Sequence, residues 1–291
     1  LGRAQIEALG FKVRLGRHLR AVDGHYAGSV AQRVDDLHQL WADGDVRALW
    51  SVRGGAGTAA LLPLLDYARM RRDPKPVVGF SDVTALLLAL QQQAGLVGFH
   101  GPAATNGFSP YTAEALRAVL MNPAPATAPG AVLRLSADHA RRGATDPAYR
   151  ARTVRAGTAE GPLLGGNLTL LASLAGTPYL PPFDGALLLM EEIGEEPYRV
   201  DRLLTQLQQA RGLQRSAALM AGVFRNCEAR DDSPPMTLAQ VIDRQLGAAA
   251  VPAVYGWSFG HVRDQLTLPL GVRARLDTQA QTLTLLEPAV S

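Results

Sequence analysis

Apolar and polar positions along the first hundred residues switch repeatedly between two periods. Ile6 and Leu9 share one face of a short amphipathic helix that Gly10 stops, and Phe11-Lys12-Val13-Arg14-Leu15 alternates as a strand does. Val34, Leu37 and Leu40 stand at helical spacing within 31–40. A buried strand is predicted over 46–52, running into Arg53-Gly54-Gly55-Ala56-Gly57, and a helix over 59–70. Residues 76–80 read as a short apolar strand, followed by Ser81-Asp82 and a strong helix over 83–93. Strands alternating with helices predict parallel βαβ units in a doubly wound α/β sheet.

The pattern breaks at residues 122–130, where three prolines punctuate a run of small residues. Residues 137–151, polar and carrying Arg141, Arg142 and Arg150, read as a surface excursion. Order returns at Gly161-Pro162-Leu163-Leu164. The expected organisation is an N-terminal α/β domain (1–121), a proline-rich linker with surface excursion (122–160) and a C-terminal domain (161–291). The 291-residue length suits two domains.

Composition removes several function classes. Twenty-nine basic and 26 acidic residues give +3, spread along the chain, and only 6% are aromatic. A nucleic-acid groove wants clustered charge and stacking rings, so that partner is not expected. The single cysteine, Cys227, excludes an intrachain disulfide and a multi-cysteine metal site. No apolar run reaches the roughly 18 residues a membrane span needs, and no signal-peptide core precedes the first helix, so a cytoplasmic protein is expected.

Four places offer chemistry. In Gly79-Phe80-Ser81-Asp82 a serine stands where a strand meets a helix, lifted clear of the sheet as a nucleophile must be; position 83 is Val, so G-x-S-x-G is not met, and a helix N-cap explains the same residues. Arg53-Gly54-Gly55-Ala56-Gly57 suits an oxyanion or a phosphate, and equally a tight turn. Glu191 and Glu192 end the apolar run 186–190, where α/β proteins place their sites; alternation sends them to opposite faces, so at most one points inward. His261, in Gly256-Trp257-Ser258-Phe259-Gly260-His261, stands out among six histidines. His18, His25 and His38 read as surface residues, and His100 is the rival. The chain order Ser, acid, His matches one known triad order.

These motifs together resemble the LD-carboxypeptidases, serine peptidases also called muramoyltetrapeptide carboxypeptidases. The resemblance rests on Arg53-Gly54-Gly55, Gly79-Phe80-Ser81-Asp82 with Thr84, Phe99-His100-Gly101-Pro102 and Gly165-Gly166-Asn167-Leu168. It continues through Leu189-Met190-Glu191-Glu192, Tyr198-Arg199-Val200-Asp201-Arg202, Phe259-Gly260-His261 and Leu268-Pro269-Leu270-Gly271, and so spans essentially the whole chain. It implies Ser81 as nucleophile, His261 as general base and then acid, and Glu191 as the orienting carboxylate, with Glu192 as fallback. The N–H groups of Asp82 and of the Gly54-Gly55 turn are implied as the oxyanion hole. The implied fold is a flavodoxin-like parallel-sheet domain carrying the serine and a smaller β-rich domain carrying Glu and His. The implied substrate is a cytoplasmic muropeptide of the L-Ala-γ-D-Glu-mDap-D-Ala type, cut before its terminal D-Ala in peptidoglycan recycling, by a homodimer using neither metal nor cofactor. Arg53, Arg202 and Arg263 are candidates for the substrate carboxylate.

Two departures carry consequences. Ala56 stands where the family commonly has tyrosine, which alters the expected pocket. Members also begin with a strand upstream of Leu1, so the chain is expected to be truncated and its first sheet to lack that strand. Within the same chemistry the alternative is a microcin-C-immunity-like peptidase acting on peptidyl-nucleotide conjugates. From another class, a non-catalytic α/β protein would hold an anion at Gly54–Gly57 and Ser81.

Overall fold

A computed structural model describes residues 2–121, 130–229 and 236–290. Its strands begin with β1 (Leu49–Trp50), β2 (Val77–Gly79), β3 (Gly98–His100), β4 (Val132–Arg134), β5 (Arg152–Arg155) and β6 (Thr158–Asn167). They continue with β7 (Leu187–Ile193), β8 (Ala218–Arg225), β9 (Ala253–Trp257), β10 (Leu268–Leu270), β11 (Arg273–Asp277) and β12 (Thr282–Leu285). One sheet has the order β1-β2-β3-β10, with β1 to β3 parallel and β10 antiparallel. The other has the order β4-β12-β11-β6-β7-β8-β9-β5; its centre, β6 to β9, is parallel and its flanks are antiparallel. The fold is therefore mixed α/β with parallel-strand sheets.

Local sequence accounts for these elements. Leu187, Leu188, Leu189 and Met190 are all fully buried, the continuous apolar run of a parallel strand covered on both faces. The helix Pro197–Arg211 starts on proline, whose missing N–H costs nothing in a first turn, and buries Val200, Leu204 and Leu207. Thr237 and Gln240 form a reciprocal cap for Leu238–Ala248. The helix Thr84–Ala94 buries Leu86, Leu87, Leu88 and Leu90, apolar nearly all round because it packs on both sheets, through β3 and β6. No helix among the described residues is long and apolar enough to cross a membrane.

Four expectations need correction. Residues 11–15 form no strand: no described strand offers them a ladder, and Phe11 instead packs edge-on to Trp50. Strand 46–52 shrinks to Leu49–Trp50. The helix expected over 59–70 is a 3₁₀ run, Thr58–Leu64, containing Pro63, followed by a separate helix Tyr67–Arg72 capped by Asp66. The expected linker and excursion instead supplies β4 and β5, which take opposite edges of the larger sheet, and a helix, Ala137–Gly143. Among the described residues the second sheet thus has eight strands and the first four. The prolines at 123, 125 and 129 lie outside the described residues.

Candidate active site

The strand β2 ends at Gly79, Phe80 is extended, and Ser81 then takes φ +61°, a left-handed conformation that costs an L-residue roughly 1–2 kcal/mol. A 3₁₀ turn, Ser81–Val83, leads directly into the helix Thr84–Ala94. Gly54 lies hard against this corner. A Cβ on Gly54 would sit 2.8 Å from Ser81 Cβ and 2.9 Å from its Oγ, so no other residue fits without displacing the serine. The same point is 3.6 Å from the Asp82 nitrogen, which brings the Gly54-Gly55 turn beside the first N–H groups of the helical segment. Val83 N–H is taken by the Phe80 carbonyl at 3.2 Å, whereas the first N–H of such a segment, here that of Asp82, can meet an anion.

Asp82 joins the two loops by its side chain. Its buried carboxylate accepts hydrogen bonds from Thr58 N–H at 2.9 Å and from Thr58 Oγ1 at 2.6 Å. Arg33 reaches the same hydroxyl at 3.4 Å.

His261 follows β9 on the loop that returns to the smaller sheet. Its Nε2 is 3.2 Å from Ser81 Oγ and its Nδ1 is 2.8 Å from Glu191 Oε2. A carboxylate oxygen accepts, so Nδ1 carries the hydrogen and Nε2 presents its lone pair to the serine. The ring rests on Phe80, with centroids 4.8 Å apart. Gly260, at φ +99°, permits this approach: a Cβ there would lie 2.6 Å from Glu191 Oε2. Glu191 is wholly buried, and among the described residues its other oxygen has no hydrogen-bond partner.

Both glutamates are buried, contrary to the expectation that alternation would turn one outward, because β7 is central and covered on both faces. A register shift between Met190 and Glu192 sends them to different partners. Glu192 accepts from Asn167 Nδ2, from Thr169 N–H and Oγ1, and from Ile193 N–H. Burial raises its pKa, and these donors pull the other way. It touches no ring of the site. Asn167 N–H in turn donates to Thr84 Oγ1, so the Gly165-Gly166-Asn167 corner ties the larger sheet to the helix behind Ser81.

His100 is fully buried between Phe80 and Phe259, each 6.0 Å away, and neither ring nitrogen has a partner among the described residues. Burial, the dominant cause, pulls its pKa down to about 4; the charge of Glu191 opposes this and that of His261 adds to it. His25 is exposed, whereas His18 and His38 are half-buried, the former bonded to Asp36 and the latter accepting from Asp66 N–H. Arg53 is exposed beside Gly54; Arg202 is exposed, its guanidinium 5.4 Å from the centre of the Tyr198 ring. The Arg263 carbonyl accepts from Thr112. Among the described residues none of the three arginines hydrogen-bonds to Ser81, Glu191 or His261. His18, Asp35 and Asp36 bring possible metal-ligand atoms within 4.8 Å of one another, but Asp36 is already engaged by the His18 ring and N–H.

Two residues by the site carry no local signal in the sequence. Nothing near Asp82 in the chain pairs its carboxylate with Thr58, 24 positions away. His139, buried beneath the His261 loop, sits in a polar stretch with no apolar pattern to reveal it.

The chain is similar to known proteins over nearly all of its length. Residues 1–101 match the LD-carboxypeptidase N-terminal domain and residues 160–276 the C-terminal domain. A probable murein peptide carboxypeptidase of Bacillus subtilis is 33% identical, over 98% of this chain and 86% of that protein. A muramoyltetrapeptide carboxypeptidase from Oxalobacter formigenes superposes with TM-score 0.80 at 29% identity, covering 98% of this chain and 91% of that one. The microcin C7 self-immunity protein of Escherichia coli is 25% identical over 98% of this chain and 87% of its own. A solved structure of a microcin C7 self-immunity protein covers 100% of this chain and 90% of that one, with TM-score 0.87 at 24% identity.

Proposed function

The chain belongs to the LD-carboxypeptidase family, and on that premise we propose that it is a serine carboxypeptidase that removes the C-terminal D-Ala from cytoplasmic muropeptide tetrapeptides in peptidoglycan recycling. The observation that carries this reading is the chain of contacts Ser81 Oγ, His261 Nε2, His261 Nδ1, Glu191 Oε2, at 3.2 and 2.8 Å. In the proposed reaction Ser81 Oγ attacks the carbonyl carbon preceding D-Ala while its proton passes to His261 Nε2. The carbonyl oxygen becomes an oxyanion held by the N–H groups of Asp82 and the Gly54-Gly55 turn. Removing one such donor costs on the order of 10²–10³ in kcat in comparable enzymes. The C–N bond then breaks, His261 gives its proton to the leaving amine, and Glu191 holds the imidazolium through Nδ1. Water, deprotonated by His261, hydrolyses the acyl-serine and returns the proton to Ser81.

Arg53 and Arg202 are proposed as the cations meeting the substrate's carboxylates, and the active species is proposed as a homodimer. We propose the division into residues 1–121, 122–160 and 161–291, with β4 and β5 of the middle stretch adding edges to the sheet of the third.

The second reading, cleavage of peptidyl-nucleotide conjugates, is favoured by the likeness to the microcin C7 self-immunity protein. The two are separated by offering the enzyme the tetrapeptide L-Ala-γ-D-Glu-mDap-D-Ala and an aminoacyl-sulfamoyl-adenosine in parallel. The muropeptide reading expects kcat/KM at least about 100-fold higher on the tetrapeptide, a discrimination of roughly 3 kcal/mol. A preference for the nucleotide conjugate would replace it with the second reading.

A further inference from the structure

The loop that carries His261 is braced from beneath by a second histidine. His139, on the helix Ala137–Gly143, is 3% exposed and uses both ring nitrogens. Nε2 meets the Gly256 carbonyl at 2.7 Å and Nδ1 meets Ser258 Oγ at 3.1 Å. The carbonyl only accepts, so Nε2 bears the hydrogen of the neutral ring, and the single Ser258 hydroxyl hydrogen is shared between Nδ1 and the Asp264 carbonyl, both acceptors. Ser258 Oγ also lies 2.6 Å from the Asp264 carbonyl, and the Asp264 carboxylate accepts from Ser136 Oγ at 2.7 Å. Ser136 Oγ in turn caps the helix at His139 N–H, 2.8 Å away.

One short helix thus grips residues 256, 258 and 264, on either side of His261. Within the turn, Val262 N–H bonds to the Gly260 carbonyl at 2.9 Å and Leu266 N–H to the Ser258 carbonyl at 2.7 Å. From outside it, Val223 N–H meets the Phe259 carbonyl at 3.3 Å, Arg225 the His261 carbonyl at 3.2 Å and Thr112 Oγ1 the Arg263 carbonyl at 3.2 Å, while His139 takes the Gly256 and Ser258 end. The ionisable groups beside the ring are Asp264 on the loop, Arg142 on its own helix and Tyr149, whose ring is 5.3 Å away. Burial lowers the His139 pKa and favours the neutral ring. An open cleft of about 160 Å³ adjoins it, lined by His139, Arg142, Tyr149, Val262, Arg263 and Asp138 among others.

We propose that His139 is a positioning residue, which fixes the 256–264 turn and so holds His261 Nε2 on Ser81. The catalytic half of this statement rests on the reading above; the bracing half does not. The test measures hydrogen exchange of peptides spanning 256–266, and kcat and KM for D-Ala release, in His139→Ala, His139→Gln and Ser258→Ala. Exchange at Val262 and Leu266 is expected to quicken about tenfold in His139→Ala and in Ser258→Ala, with the helix Pro197–Arg211 unchanged. In His139→Ala kcat is expected to fall about 10- to 100-fold with KM within about twofold, the pattern of a displaced base rather than lost binding. His139→Gln, whose amide can still donate to Gly256, is expected to recover most of that loss, as is free imidazole added to His139→Ala.

Unchanged exchange in both His139→Ala and Ser258→Ala would overturn the brace. Faster exchange with kcat intact would overturn its link to catalysis. A parent that releases no D-Ala would count against the proposed function alone, since the exchange comparison stands without it. Should His139→Ala fail to fold, Ser258→Ala and His139→Gln carry the same test.

Discussion

At the scale of residues, the site depends on which of two adjacent carboxylates meets the imidazole. Ser81, Glu191 and His261 could each be named from local context, a serine or an acid after an apolar strand and a histidine among glycine and aromatic residues. Alternation alone could not separate the roles of Glu191 and Glu192, because the strand that bears them is buried on both faces and shifts register between them. Their partners now predict opposite phenotypes. Glu191→Gln is expected to lower kcat by about 10²–10⁴ with little change in stability, since the imidazole loses its orienting acceptor. Glu192→Gln disturbs four hydrogen bonds and is expected to cost about 1–3 kcal/mol of stability with a much smaller loss of kcat. Denaturant unfolding and steady-state kinetics on the two variants check this contrast. His100 yields a pH prediction. Its folded pKa of about 4 lies below its ordinary 6.5, so between these values the unfolded chain binds more protons. Stability is therefore full above pH 6.5 and falls as pH drops toward 4, by about 3 kcal/mol from this one group. Urea unfolding from pH 7 to pH 4 should show a shallower decline in His100→Phe than in the parent; equal slopes would contradict the assignment.

At the scale of elements, a serine after one strand becomes a reaction site only where other loops converge on it. The glycine-rich turn was legible as a turn, and so was its proximity in sequence to a strand end. Its attachment to the serine's corner was not, because that bond joins Thr58 to Asp82 across a 3₁₀ segment that the pattern read as a helix. Pro63 breaks the helical hydrogen-bonding there, a local rule that the helical reading of 59–70 passed over. Removing the Thr58 hydroxyl leaves one acceptor bond of the buried Asp82 unmade. Thr58→Val is expected to lower kcat about tenfold and stability by about 1–2 kcal/mol, while Thr58→Ser keeps both. Parallel kinetics and thermal unfolding decide; wild-type kcat in Thr58→Val would mean that the clamp does not set the oxyanion site. The segment 130–160 was the least legible stretch. Its two strands are edge strands with polar, alternating faces, and their partners lie far away along the chain, as Arg134 and Thr282 do.

At the scale of the whole molecule, the proposed nucleophile and its proposed base arrive from different sheets. Ser81 follows β2 of the four-stranded sheet, whereas Glu191 lies on β7 and His261 follows β9 of the eight-stranded one. The helix Thr84–Ala94 packs on both, and Asn167 bonds to its first residue, so the site is assembled along the seam that this helix fills. The α/β class was legible because parallel strands carry their own signature, continuous apolar runs separated by helices. The return of β10 to the first sheet was not, since a three-residue antiparallel strand carries no periodic signal of its partner. Central to the proposed function is that Ser81, activated by His261 across this seam, cuts the bond before a terminal D-Ala. Mass-spectrometric detection of D-Ala from the tetrapeptide, with the parent and Ser81→Ala side by side, tests it most directly. Release by the parent and a fall of at least about 10⁴-fold in the variant are predicted. Release that persists in a folded Ser81→Ala would contradict it.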